Sequence, residues 1–133
     1  MKIRYIHFIQ PNRAINYGIG TYIDNIIYCF RNTGFDFEIV ELLSLETEVK
    51  ITDSDGYRKI SIPALNRCYI DKYKNYYSRN TAFLLKTFLD EDDIFYVFHL
   101  NCMDNEFLPV WLKKLFKCKI ILTVHYTEWS FKL

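Results

Sequence analysis

"KIRYIHFIQPNRAINYGIGTYIDNII", residues 2–27, decides how the chain folds. Its first eight residues alternate at the start and then turn apolar, as a buried strand does. Pro11-Asn12 breaks the run. A spaced pair of glycines, Gly18 and Gly20, comes next. From Gly20 to Asn32 the residues Ile23, Ile26, Ile27 and Phe30 recur on one helical face. "RNTGF", around Gly34, stops that helix. A strand, a glycine turn and an amphipathic helix make the opening of a βα unit, and the rest of the chain repeats the alternation.

"FDFEIVELL", Phe35–Leu43, alternates strictly through its first half and reads as a second strand. "EVKIT" and "YRKISIP" flank "DSDG", Asp53–Gly56, and form a β-hairpin. From Asn66 to Leu89 the period becomes helical, through Tyr69, Tyr73, Tyr76, Tyr77, Leu84, Leu85 and Phe88. Asp90–Asp93 separates that helix from "IFYVFHL", a buried strand. "DNEFLPVWLKKLF" is a helix with Asp104 as its expected cap and Pro109 near its start, where proline costs least. "KIILTVH", Lys119–His125, is the expected last strand. Strands separated by helices predict an α/β fold: a Rossmann-like three-layer domain, residues 1–133, with a mostly parallel sheet, helices on both faces and a small β-hairpin. Ligands of such sheets bind beyond the carboxyl ends of the strands. Those ends are expected at Ile9–Gly20, His99–Cys102 and His125–Trp129.

Composition narrows the function. The 133 residues are 50% hydrophobic, enough for one domain with a core. Seventeen basic against sixteen acidic residues leave no excess of the kind a nucleic-acid binder carries. The first residues are too charged and too short for a leader, and no apolar run nears the ~20 residues of a membrane span. Cys29, Cys68, Cys102 and Cys118 lie far apart with no CxxC, and buried reduced thiols in a cytoplasmic protein are expected. Tyrosines mixed with Lys72, Lys74 and Arg79 fit a helix lying on the inner face of an anionic membrane. They fit equally a helix whose tyrosines pack and whose lysines are solvated.

A dinucleotide site needs Gly-x-Gly-x-x-Gly directly after the strand, and here the third position is Ile23. No glycine precedes Lys-Ser or Lys-Thr, so there is no P-loop. Gly18-Ile19-Gly20-Thr21 remains as a structural turn or as a turn facing a phosphate or sugar. His7 lies inside the first strand and is expected to be packed. His99 and His125 are expected to end two parallel strands. There each could donate to a substrate hydroxyl or phosphate, or satisfy a backbone group. His99, Cys102 and His125 match no known zinc spacing, so no metal is expected. Asp53-Ser54-Asp55 is explained by turn chemistry. Glu38 and Glu46, eight apart, read as coincidence.

Three stretches together resemble the amino-terminal domain of a GT-B glycosyltransferase, glycosyltransferase family 4 in particular. "NYGIGTYIDNII" is similar to the family's Gly-Gly-Ile-Gly loop and first helix, with Tyr17 in place of the first glycine. "FHLN", ending at Asn101, is similar to its Val-His-x-His/Asn. "KIILTVHYTEW" is similar to its Pro-x-Val-x-Thr-x-His-Asp, with Tyr126 in place of the acid. The resemblance implies a retaining, metal-independent transfer from a nucleotide-sugar donor to a glycan or lipid acceptor, with no cofactor. Gly18, Ile19 and Gly20 would approach the donor phosphates. His99 and Asn101 would line the substrate side, and His125 would be catalytic, holding a hydroxyl or stabilising an oxocarbenium-like transition state. It also implies a carboxyl-terminal donor-binding domain as partner, without which this domain would be nearly inactive. The alternative is a non-catalytic α/β module that docks a protein partner.

Overall fold

A computed structural model of the chain describes residues 2–10, 18–54, 56–64, 71–89, 93–100 and 107–123. The strands are β1 (Lys2–Ile9), β2 (Phe37–Ser44), β3 (Lys50–Ser54), β4 (Tyr57–Pro63), β5 (Ile94–Leu100) and β6 (Cys118–Leu122). The helices are α1 (Gly18–Thr33), α2 (Asp71–Leu89) and α3 (Leu108–Leu115). One six-stranded sheet runs β3-β4-β2-β1-β5-β6. All its pairings are parallel except the β3–β4 hairpin. The fold is the Rossmann-like α/β domain that the alternation of elements predicts.

β1 lies centrally, between β2 and β5, and its second half is buried on both faces. Ile6 and Phe8 point into one layer, where they join Val40, Ile60 and Phe98, Leu85 and Leu89 of α2, and Leu108 and Leu112 of α3. The opposite face lies under α1, whose Phe30 ring packs 4.3 Å from Tyr5 and 5.5 Å from Phe37, centroid to centroid. The stripe Ile26, Ile27 and Phe30 is half-buried as its 3.6 period requires, and Tyr28 and Cys29 turn outward. Cys29 is thus an exposed thiol rather than a buried one; Cys118 is buried, and Cys68 and Cys102 lie outside the described residues. α1 ends where glycine must stand: Gly34 has φ +74°, the left-handed conformation of a helix stop. The Thr33 hydroxyl donates to the Phe30 carbonyl, one of the last four that the helix end leaves open, and the Asn32 side chain donates to the Tyr28 carbonyl one turn back.

Beyond Glu41 the β2–β4 register shifts, and Leu43 takes φ +53°. A bulge of this kind removes a backbone donor from the ladder. Tyr77 of α2 supplies the replacement: the Leu43 N–H donates to its hydroxyl at 2.9 Å, and the hydroxyl points on to the Ile62 carbonyl at 3.4 Å. At the amino edge of the sheet, Glu38 meets Arg58 at 2.9 Å, and Asp36 accepts from Arg4 at 3.1 Å. Arg58 also reaches the Phe88 carbonyl in the last turn of α2, a helix end that favours a cation. Glu38 stands at the start of β2 and Glu46 beyond its end, so the two lie at opposite ends of the strand. Glu46 pairs with Lys50.

Several boundaries differ from the sequence expectation: α1 begins at Gly18 rather than Gly20, and β2 spans Phe37–Ser44 rather than Phe35–Leu43. α3 begins at Leu108, with Phe107 in the cap position and no side-chain cap; Pro109 falls in its first turn. Asp104, the expected cap, lies outside the described residues and too far upstream to cap a helix that begins there. β3 runs through Ser54 and leaves only Asp55 and Gly56 between the paired Ser54 and Tyr57. Gly56, at φ +85°, supplies the turn. β6 ends at Leu122, so His125 is not its last residue.

Candidate functional site

The strand order turns at β1. The chain lays β2 and then β4 on one side of it and β5 and then β6 on the other. In open parallel sheets that reversal opens a crevice beyond the carboxyl ends of the two strands flanking it. Here those strands are β1 and β5, and the register sets His7 directly opposite His99. Their rings stand 4.6 Å apart, edge to face.

Both imidazoles are buried, His7 completely and His99 to 5% exposure. Tyr5 lies two residues before His7 and so on the same face of β1. Its hydroxyl hydrogen-bonds Nδ1 of His99 and lies 3.4 Å from Nδ1 of His7. The far nitrogen of His99, Nε2, is 2.6 Å from the Thr123 hydroxyl just past β6. Thr123 is held there by its own N–H, which donates to the Leu100 carbonyl at 2.9 Å. One polar line therefore runs from His7 through Tyr5 and His99 to Thr123, across three strands.

Proton accounting gives this line two consistent directions. In one, Thr123 donates to Nε2 of His99, Nδ1–H of His99 donates to Tyr5, and Tyr5 donates to His7. In the other every bond is reversed, and the Thr123 hydroxyl proton is free to point outward. A neutral imidazole carries one donor and one acceptor, so the tautomer of each histidine is set by the other's. Thr123 keeps its hydroxyl proton in both directions; what changes is whether that proton points at His99 Nε2 or away from it. His99 has both nitrogens engaged by side chains, Nδ1 by Tyr5 and Nε2 by Thr123. His7, expected as a packed histidine, is packed, but inside this line rather than among hydrocarbon.

Gly18, Ile19 and Gly20 form the first turn of α1 and not a loop ahead of it. Glycine's cost in a helix is the backbone entropy it loses, and it is borne here at the helix end, where the first N–H groups have no intrahelical partner. Those N–H groups and the positive end of the helix are what an anion requires, and no acidic side chain occupies the first turn. Asn101 and His125 lie outside the described residues. Tyr5 and Thr123 were not singled out from the sequence. The alternation Tyr5-x-His7 marks one face, but only the β1–β5 register brings His99 onto it.

A concavity of about 380 Å³ opens at the opposite, amino edge of the sheet, beside the β3–β4 hairpin. Asp36, Glu38, Asp53, Tyr57 and Arg58 line it. Of its charged groups, Glu38 holds Arg58, and Asp36 pairs with Arg4 and Lys2. Among the described residues no group of histidine, cysteine, aspartate or glutamate is placed to hold a metal ion. No described helix is long and apolar enough to cross a membrane. The chain matches no protein-family model and no curated protein.

Proposed function

We propose that this chain is the acceptor-side domain of a retaining glycosyltransferase, which moves a sugar from a nucleotide-sugar donor to a glycan or lipid acceptor. The observation that carries this reading is the reversal of strand order at β1, with the α1 helix opening on Gly18 after it and His99 next to the end of β5. A helix start that follows the central strand suits a donor diphosphate, because its free N–H groups offer hydrogen bonds and its dipole offers positive charge. On this reading Gly18, Ile19 and Gly20 meet the phosphates through their backbone. His99 and Asn101 stand on the substrate side. His125, two residues past the anchored Thr123, steadies the reacting hydroxyl or the charge of an oxocarbenium-like transition state. A carboxyl-terminal donor-binding domain completes the cleft, and the domain alone is nearly inactive because it holds only part of the reacting pair.

Calorimetry on this chain against a panel of nucleotide sugars and soluble oligosaccharides tests the reading. Expected is binding of at least one of these, weakened roughly tenfold or more by His125→Ala, a loss of about 1.4 kcal/mol. Binding of flavin with no binding of any nucleotide sugar or oligosaccharide would overturn it.

A further inference from the structure

We propose that the outer face of α2 and α3 is a docking surface for an anionic lipid bilayer. The proposal stands on side chains away from the β1–β5 crevice and holds whether or not the chain takes part in sugar transfer. The inner faces of both helices are consumed by the core, through Tyr77, Ala82, Leu85 and Leu89 of α2 and Leu108 and Leu112 of α3. What remains outside is unusually apolar for two solvent-facing helices. Tyr76 and Phe83, a heptad apart on α2, are each 50% exposed, and Val110 on α3 is 53% exposed. Trp111 joins the two helices: its ring lies 6.3 Å from Phe83, and its Nε1 donates to Asn75 at 2.9 Å. The apolar residues therefore form one patch rather than scattered singles.

The patch is framed by cations. The Arg79 guanidinium lies 5.1 Å from the centre of the Tyr76 ring, and the Lys114 ammonium 4.7 Å from that of Trp111. Along α2 and α3 the sequence places Lys72, Lys74, Arg79, Lys86, Lys113 and Lys114 against a single acid, Asp71, at the first residue of α2. The other acids nearby, in the runs around Asp93 and Glu106, fall between the elements. Not all of these face the patch: Lys113 donates to the Cys118 carbonyl at 2.9 Å and Lys86 lies over the Phe116 ring, so Arg79 and Lys114 are the cations set directly against it.

This pairing of chemistry selects a bilayer. Tyrosine and tryptophan settle at headgroup depth with their polar ends in water. Phenylalanine and valine enter the acyl boundary, and lysine and arginine bend back to lipid phosphates. A nucleic acid would use the cations and the aromatic rings but has no use for Val110. The topology adds a consequence. α2 and α3 each return from the carboxyl end of a strand, so Val110 and Trp111 in the first turn of α3, and Tyr76 in the second turn of α2, lie toward the edge where the candidate site opens. A bilayer against this face would present lipid-borne groups to that edge.

Flotation with vesicles tests it, using phosphatidylcholine with and without phosphatidylglycerol. The chain should bind the anionic vesicles, ignore the neutral ones, and release as salt rises. The double variant Arg79→Glu/Lys114→Glu should bind roughly tenfold or more weakly. Phe83→Ser with Val110→Ser should also weaken binding while leaving its salt dependence in place. Circular dichroism and melting of each variant should match the parent, because the altered side chains lie outside the core. Three results would each overturn the proposal: no binding to anionic vesicles, equal binding by the charge-reversed variant, or tighter binding to a single-stranded RNA oligonucleotide lost in the same variants. The last would give the face to a nucleic acid.

Discussion

Replacing Tyr77 by phenylalanine removes one oxygen and no ring. That oxygen is the acceptor for the Leu43 N–H at the β2 bulge and a donor toward the Ile62 carbonyl. Tyr77 is 5% exposed, so water replaces the hydroxyl poorly. A hydrogen bond made in such a place is worth about 1 kcal/mol net, and leaving a backbone donor without its acceptor costs about 1–3 kcal/mol. The 3.4 Å bond to Ile62 is long and adds little. The expected loss is therefore about 1.5–2 kcal/mol. For 133 residues the unfolding entropy near the midpoint is about 0.28 kcal/mol/K, so the melting temperature should fall by about 5–7 °C. The urea midpoint should fall with no change in slope, since the same surface is exposed on unfolding. Tyr76→Phe, one residue away and half-exposed, is the control and should stay within about 0.5 kcal/mol of the parent. If Tyr77→Phe were as neutral as Tyr76→Phe, the hydroxyl would not be what closes the bulge, and this account of β2 would fail.

Glu38→Gln should cost about 2–4 kcal/mol in urea unfolding, because it strands the Arg58 guanidinium beneath α2; adding Arg58→Met should return much of the loss. Gly34→Ala should cost about 1–2 kcal/mol, since no other residue takes φ +74° cheaply, and Gly34→Asn should cost less than Gly34→Ala. Burial pushes the Cys118 thiol above its ordinary value of 9.0, with the Lys113 ammonium pulling partly back. The folded chain therefore holds that proton more tightly than the unfolded chain. The resulting stabilisation is whole below pH 9 and is lost as pH rises through the folded pKa, so Cys118→Ala should flatten the alkaline limb of the stability curve. Peptide mapping after brief alkylation at pH 8 should find Cys29 labelled and Cys118 spared in the folded chain.

Local chemistry made much of the fold legible. β1, β4 and β5 stand where their alternating or apolar runs placed them, because those runs are bounded by residues that cannot continue a strand. Gly34 and Gly56 marked a helix stop and a turn, because each needs a positive φ. The misreadings have one cause: a boundary set by tertiary contact leaves no mark in the local pattern. Gly18 joins α1 although glycine is a weak helix former, and α3 starts at Leu108 although Asp104 is the better cap. The exposed Cys29 follows from which stripe of α1 faces the sheet. The candidate site was legible only in part. Tyr5, His7 and His99 become neighbours through a strand pairing whose partners lie 92 residues apart, and no periodicity encodes that register. Thr123 joins them only because β6 stops short and turns its hydroxyl to His99.

The account stands or falls on the carboxyl edge between β1 and β5. Amide shift mapping of the nitrogen-15-labelled chain during titration with nucleotide sugars and oligosaccharides addresses that edge directly. The prediction is one connected set of perturbed amides that includes Gly18, Ile19, Gly20, His99, Asn101, Thr123 and His125, with the hairpin edge at Asp53 and Arg58 unmoved. Perturbations gathered at the hairpin edge, with the glycines and His125 silent, would contradict it.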